Sequence, residues 1–498
     1  MLKSLFAQLT ASDKAHFREE AMRGSLALGP PQASFANTSF AVATFTNTIH
    51  SQLLGRMVLA FVFLLFTPMR QASAQGVVEV RSLTANLSEK PPKTWSECVK
   101  WASIHSPEIK AANTALLAAQ EQTKSAIGGY FPVIAASANY SRSENNTYFP
   151  GTPPGTLQNS DMDAYTAQIN LTQNLFNGFG DQARIAEARA NERSFIANLQ
   201  IVKAKISSDL KTAFAGLMYA RESLTLAEQI LQRRKQNLSL VELRYEGGRE
   251  NKGSVMLYKA YLRQAGFSKL QAVDLIDTAE ATFGKVIGLE PEDVAAIAAT
   301  PGTVPVSAVP IKVNFKSIIV DTPVHAQAVE VENTNREAIT AARANLLPVL
   351  AFNGSAGVFD TSWFPQNNRW SIGVGLTVPI LNGGKDYYNL KAAQANLYNA
   401  SANLELADRL LVALLKQNYY NFVEAIEKEQ VDITFLDAAR IRATIGRNKY
   451  DNGLLTFEDW DLIETDLITR ETNALQSQQN RIVQESNWEQ AQGKGVIP

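Results

Sequence analysis

Residues able to do chemistry are few in this sequence, and the most suggestive lie in two short echoes, RYEGG at 244–248 and KYDNG at 449–453. Each runs cation, tyrosine, acid and then a Gly-containing turn, the order in which a helix ends on a left-handed glycine. After the second echo come Glu458, Asp459 and Asp461. Grouped acids beside a constriction attract cations. Thr456-x-x-Asp459 is also a helix-start pattern, in which first-turn acids favour the helix dipole. Both roles stay open for Asp459. The single cysteine, Cys98, excludes an internal disulfide framework and reads as a small helix residue. His16, His50, His105 and His325 share no helical face, so a clustered metal site finds no support. G-x-S-x-G, H-E-x-x-H, Walker-loop and C-x-x-C patterns are absent from the sequence. The expectation is no enzyme and no cofactor. A formal charge of −1 without a run of five like charges argues against a nucleic-acid partner.

What positions those echoes begins after a leader. MVLAFVFLLF, Met57–Phe66, follows Arg56 and precedes Ala72-Ser73-Ala74. Ten apolar residues are too few to span a bilayer as a helix, and basic, apolar, A-x-A is the order of a secretory signal. Residues 57–74 are therefore expected to be a signal peptide, with residues 1–56 an extension or a misassigned start. A buried core helix is the alternative. Gln75 stands where a lipoprotein would carry cysteine, so attachment to a membrane must come from the polypeptide itself.

The rest is written twice. Pro107 and Pro132 are 25 residues apart, as are Pro323 and Pro348. Asn177 precedes Tyr245 by 68 residues, and Asn382 precedes Tyr450 by 68. Gly248 and Leu257 recur as Gly453 and Leu462 at the same offset of 205. An internal duplication follows, with a first repeat at 75–290, a Pro/Ala/Val-rich linker at 291–322, a second repeat at 323–493 and a tail at 494–498. Each repeat is expected to run helix, strand, loop, strand, very long helix, tight turn, helix.

Strands of opposite-faced character are expected at Val133–Arg142, Tyr165–Thr172, Leu350–Val358 and Trp370–Val378. In the second, Tyr165, Ala167, Ile169 and Leu171 alternate with Thr166, Gln168, Asn170 and Thr172; in the fourth, Trp370, Ile372, Val374, Leu376 and Val378 alternate with small or polar residues. Such alternation fits a transmembrane β-barrel, with Ile169, Leu171, Ile372, Val374 and Leu376 facing lipid. A sandwich strand is the alternative for any one of them. Trp370, Tyr148, Phe149, Trp363 and Phe364 are candidates for an interfacial aromatic girdle, or the last four pack in outer loops.

Between Gly178 and Gly247 lie about 70 residues without proline, enough for a rod of ~100 Å. Leu210, Leu217, Leu224, Leu231 and Leu238 recur every seven, with Ala213, Ala220 and Ala227 as small companions, a coiled-coil seam. Asn-Gly at each strand-to-helix junction permits the change of period. Four strands cannot close a barrel, and open edges are intolerable in lipid. Several chains must share one: two give a packed interior, three give twelve strands and room for a pore.

With SPEIKAANTALLAAQ, GGYFPVIAASANY, LTQNLFNG, VPILNGG, RYEGG, KYDNG, TFGKVIGLEP and NWEQAQG, the sequence resembles the TolC-like outer-membrane channel family from Trp95 to Gly493. The resemblance implies a homotrimer, with a twelve-stranded outer-membrane barrel continuous with an α-helical coiled-coil periplasmic tunnel. It implies an exit duct for tripartite efflux or type I secretion, with a periplasmic adaptor and an inner-membrane transporter as partners. It also implies an entrance at the helix tips, involving Arg244, Tyr245, Tyr450, Gly453, Glu458, Asp459 and Asp461, where threefold symmetry makes Asp459 a carboxylate ring. Leu455 and Ser254 depart from the family pattern, so the gate's ion pairs are expected to be rearranged, with Arg244, Arg249, Arg447 or Lys449 as substitutes. A poreless periplasmic adaptor is the competing reading. The exported substrate is not legible.

Overall fold

The computed structural model describes residues 92–147, 158–299, 304 and 313–498. The chain divides into two units, Met1–Phe63 and Leu64–Pro498, and every described residue lies in the second. The expected extension, the signal peptide, Tyr148, Phe149 and linker residues 300–303 and 305–312 lie outside the described residues.

Five of the nine α-helices described begin where a short polar side chain holds one of the first amides. Thr94 and Glu97 form a capping box for α1 (Trp95–His105), and Ser106 with Pro107 opens α2 (Pro107–Ile127). Strands β1 (Val133–Thr147) and β2 (Gln158–Asn177) follow, then the rod α3 (Gly180–Glu246) and its return α4 (Lys252–Ile287). Short helices α5 (Pro291–Ala295) and α6 (Phe315–Val320) bound the junction between halves. The second half supplies α7 (Pro323–Ala344), opened by Thr322 and Pro323, then β3 (Val349–Asp360), β4 (Asn367–Thr377), α8 (Lys385–Asp451) and α9 (Phe457–Ala491). Both rods have 67 residues, or ~100 Å at ~1.5 Å per residue. No helix among the described residues is long and apolar enough to cross a membrane.

The four strands make one antiparallel sheet in the order β1-β2-β3-β4, so β2 and β3 join the halves and β1 and β4 are its edges. Pairing sets Ile134 against Leu171, Leu171 against Gly354, and Gly354 against Ile372. Directly opposed residues share a face. One face therefore carries Ile134, Ile169, Leu171, Phe352, Val358, Trp370, Ile372, Val374 and Leu376. The other carries Ser137, Asn139, Thr166, Gln168, Asn170, Thr172, Asn353, Ser355 and Ser371. Polar neighbours bond across strands, Asn170 to Ser137 at 3.2 Å and Ser355 to Ser371 at 2.8 Å. β1 and β2 extend beyond the expected strands because their Ser/Asn/Thr-rich outer segments continue the ladder after the apolar alternation ends.

The turn from sheet to rod takes two successive left-handed residues. These are Gly178 (φ 67°) and Phe179 (φ 68°) in the first half, and Gly383 (φ 56°) and Gly384 (φ 79°) in the second. A side chain at Gly178 would also lie 2.7 Å from the Ala344 carbonyl oxygen.

Along α3 the seam differs from the expected leucine row. Leu210 and Leu217 are fully buried, but Leu224, Leu231 and Leu238 are only half-buried. The continuously buried row is the companion one, Ala213, Ala220, Ala227, Arg234 and Val241. Small side chains allow close approach of neighbouring helices, and α3 packs against both α4 and α9; the leucines flank that contact. The junction between halves is also no loose spacer. Val294, Ile297, Ala299 and Val304 enter a core with Trp95, Cys98, Phe214 and Phe283, and Arg221 holds the Ile297 carbonyl at 2.5 Å.

Candidate functional site

Both rods reverse by the same hydrogen bonds. The Arg249 amide donates to the Arg244 carbonyl and the Leu454 amide to the Lys449 carbonyl, both at 2.8 Å, around left-handed Gly248 and Gly453. Asn251 then caps α4 through the Ser254 amide at 3.0 Å, and Thr456 caps α9 through the Asp459 amide at 3.1 Å.

These turns bring the two tips together. Arg244 donates to the Tyr450 carbonyl at 2.5 Å while its guanidinium lies 4.3 Å from the Tyr450 ring centroid. The Tyr450 hydroxyl donates to Glu250 at 3.1 Å. Behind Tyr450 the Trp460 ring stacks at 4.3 Å, and Tyr258 stacks on Trp460 at 5.4 Å. Three aromatic rings, two from the second tip and one from α4, thus lie in a column with Arg244 at one end and Arg234 at the other, 5.7 Å from Tyr258. Tyr258, Tyr450 and Trp460 are fully buried with Val241 and Val255. Burial pushes the Tyr258 and Tyr450 hydroxyls well above the ordinary tyrosine range, reinforced by Asp461 and Glu250 respectively.

Polar contacts continue along the helices away from the tips. Arg234 is buried against the Tyr261 ring at 4.4 Å, and Tyr261 donates to Asp461 at 3.2 Å. Asn237 donates to Glu464 at 3.1 Å and accepts from Arg447. Arg233 pairs with Glu471 at 2.7 Å. Apart from the Arg234–Tyr261 stack, which joins α3 to α4, each of these contacts ties α3 or α4 to α8 or α9.

Among the expected residues, the structure joins Arg244, Tyr450 and Asp461 to this network. Tyr245 and Glu458 are exposed, Gly453 makes the turn, and Asp459 accepts from its own cap residue Thr456 at 2.8 Å. Of the suggested substitutes Arg244 and Arg447 are used across the tips. At the departure position Ser254 the hydroxyl bonds Glu250 at 3.0 Å, so that acid serves both Ser254 and Tyr450. Sequence reasoning missed Trp460, Tyr258, Arg234 and Glu250. The signal for Arg234 was present, a charge falling on the seven-residue row of small buried positions.

The outer membrane efflux protein model matches residues 99–289 and 323–494. The chain belongs to the outer membrane efflux protein family. That places it in the outer membrane, in a family of transport proteins, not enzymes. Each matched block holds one strand pair and one helical hairpin, and the unmatched stretch between them is the junction between halves. Among curated relatives, the outer membrane efflux protein BepC of Brucella suis is 24% identical over 57% of this chain and 60% of its own length. The outer membrane protein TolC of Escherichia coli is 22% identical over 65% of this chain and 67% of its own. The chain thus spans about three fifths to two thirds of these relatives. Among solved structures, the outer membrane protein VceC of Vibrio cholerae superposes with a TM-score of 0.69 at 18% identity, covering 81% of this chain and 96% of that one. A largely helical chain with a small antiparallel sheet is the fold of such outer-membrane channels.

Proposed function

We propose that three copies of this chain form one outer-membrane exit duct, a twelve-stranded barrel continuous with a periplasmic helical tunnel. The sheet carries this reading. The four strands turn most of their large apolar residues to one face and most of their hydroxyl and amide groups to the other, while edges β1 and β4 have no partner among the described residues. In lipid such edges must be closed, and only a barrel closes them. The internal duplication supports ring closure: α7 packs between the rods α3 and α8, whereas α2 packs on one rod, α3, among the described residues. A neighbouring copy supplies what α2 and β1 lack.

The height of the apolar face supports the bilayer assignment. Tyr140, Tyr165 and Trp363 cluster at its outer end with centroids 4.9 and 5.5 Å apart, and Phe176 and Phe179 meet at 5.3 Å at the inner end. The eleven steps from Tyr165 to Phe176, at ~3.3 Å each and tilted ~45°, rise ~25 Å, the height of an outer-membrane apolar band. On this reading Ile169, Leu171, Ile372, Val374 and Leu376 face lipid.

The entrance lies at the tips, where Glu458, Asp459 and Asp461 recur three times around the axis and the Arg244–Tyr450–Glu250 contacts hold each protomer's hairpins together. The duct is passive. A periplasmic adaptor and an energised inner-membrane transporter, of the efflux or type I secretion kind, supply substrate and work.

Cell fractionation followed by unheated electrophoresis tests the reading. A trimer in the outer-membrane fraction is expected; a soluble periplasmic monomer would overturn it in favour of a poreless adaptor.

A further inference from the structure

The polar face of the sheet is almost free of charge. Among the described residues it presents mainly hydroxyl and amide side chains, among them Ser137, Asn139, Gln168, Asn170, Asn353 and Ser371, with small residues and the uncharged Val133, Met162, Val349 and Phe359 between. The one ionised side chain among the described residues of that face is Arg369. Other described charges of the strands, Arg142, Glu144, Asp163 and Asp360, share the opposite face and lie level with or beyond Tyr165, at the outer end. Charge is therefore kept off the apolar band and, with one exception, off the lumen.

Arg369 is placed to act on what passes. Pairing sets it opposite Gly357, Gly357 opposite Gln168, and Gln168 opposite Ser137, so one layer across the chain reads Ser, Gln, Gly, Arg. Gly357 is sterically required, since a Cβ there would lie 2.2 Å from the Ala167 carbonyl oxygen. With no side chain opposite it on β3, the guanidinium is exposed, and no acid among the described residues of the polar face competes for it. The segments joining the strands at this end, 148–157 and 361–366, contain no Asp, Glu, Lys or Arg to neutralise it.

We infer that Arg369 from three copies forms a cationic ring near the outer mouth of the duct that favours solutes bearing carboxylate, phosphate or sulfonate groups. The inference rests on the trimeric-duct reading and adds a charge preference to it. Guanidinium pairs bidentately with planar oxyanions, and rings of basic side chains are how pores select anions. The ring opposes in sign the acids of the periplasmic tips, so the two ends of the duct discriminate separately.

Reversal potentials of purified trimer in planar bilayers, under a potassium chloride gradient, test the ring. Asp459→Asn is included in every protein to lessen the entrance contribution. Near 0.1 M salt, where the screening length is ~10 Å, Arg369→Ser should lower the chloride-to-potassium permeability ratio about twofold or more, and Arg369→Glu should lower it further. Arg369→Lys should retain most of the preference. Near 1 M salt, with screening at ~3 Å, the differences should collapse. Equal reversal potentials for the Arg, Ser and Glu proteins, with conductance intact, would overturn the ring and leave the duct standing. Absence of any conductance from membrane-inserted protein of native Arg369 would overturn the duct and the ring together.

Discussion

Lys211 and Tyr450 illustrate how single residues carry this fold in opposite ways. Lys211 is fully buried on α3, with its ammonium 3.0 Å from Glu485 and 3.1 Å from Glu489 of α9. Removing one member of such a set strands like charges away from water, so Lys211→Met should destabilise the protein by about 3–5 kcal/mol in thermal or denaturant unfolding. Replacing Lys211 and Glu485 together with apolar residues of similar volume should recover much of that loss. Tyr450 and Tyr258 act through protonation. Their folded-state values are raised, so the neutral hydroxyl is the native form. The stability they contribute is fully present below the unfolded tyrosine value of ~10 and is lost as pH rises beyond it. Melting temperature should therefore fall above pH ~10, with Trp460 fluorescence reporting the tips, and the slope should flatten in Tyr258→Phe/Tyr450→Phe. An unchanged slope would remove the stacked column from the alkaline response. Neutralising Asp459 and Asp461 to Asn should weaken block by multivalent cations in bilayer recordings; undiminished block would take them out of the entrance.

Where strand becomes rod, element geometry is decided by backbone permission. Gly178 combines a left-handed conformation with close approach to α7. Gly178→Ala should cost about 2–4 kcal/mol from strain and overpacking together, seen as a lower melting temperature and less assembled protein. Phe179 holds the position taken by Gly384 in the second half and pays about 1–2 kcal/mol for a left-handed bulky residue. Its ring meets Phe176 at 5.3 Å at the inner edge of the apolar face, which gives a reason to keep an aromatic there. Phe179→Gly should relieve the backbone while weakening the interfacial anchor, a split visible as unchanged or higher thermal stability with reduced membrane insertion.

For the whole assembly, the repeat predicts how copies meet. Adding 205 to β2 and subtracting 216 from β3 converts the observed Ile169–Ala356 pair into Val374 of one copy opposite Tyr140 of the next. Tyr140→Cys/Val374→Cys should therefore cross-link into covalent trimers. The background is quiet because burial in α1 pushes the Cys98 thiol up to about 12, leaving it protonated and inert at neutral pH. Cross-linked dimers that never advance to trimers would contradict a closed ring of three.

Local rules alone determined the two-sided strands, the capped helix starts at Thr322, Thr456 and Asn251, the glycine turns at Gly248 and Gly453, and the equal 67-residue rods. Each depends on spacing or on one residue's backbone freedom, which survives as a pattern along the chain. Tertiary structure decided which seven-residue row of α3 was buried, because that depends on how closely α4 and α9 approach. It also decided that β2 meets β3 and that Arg244 meets Tyr450 across 206 positions. Trp460 and Tyr258 carry no local signature of a shared column, and the charge that Arg234 puts on its seven-residue row does not name its partners, since stacking is a property of helices meeting, not of any one segment.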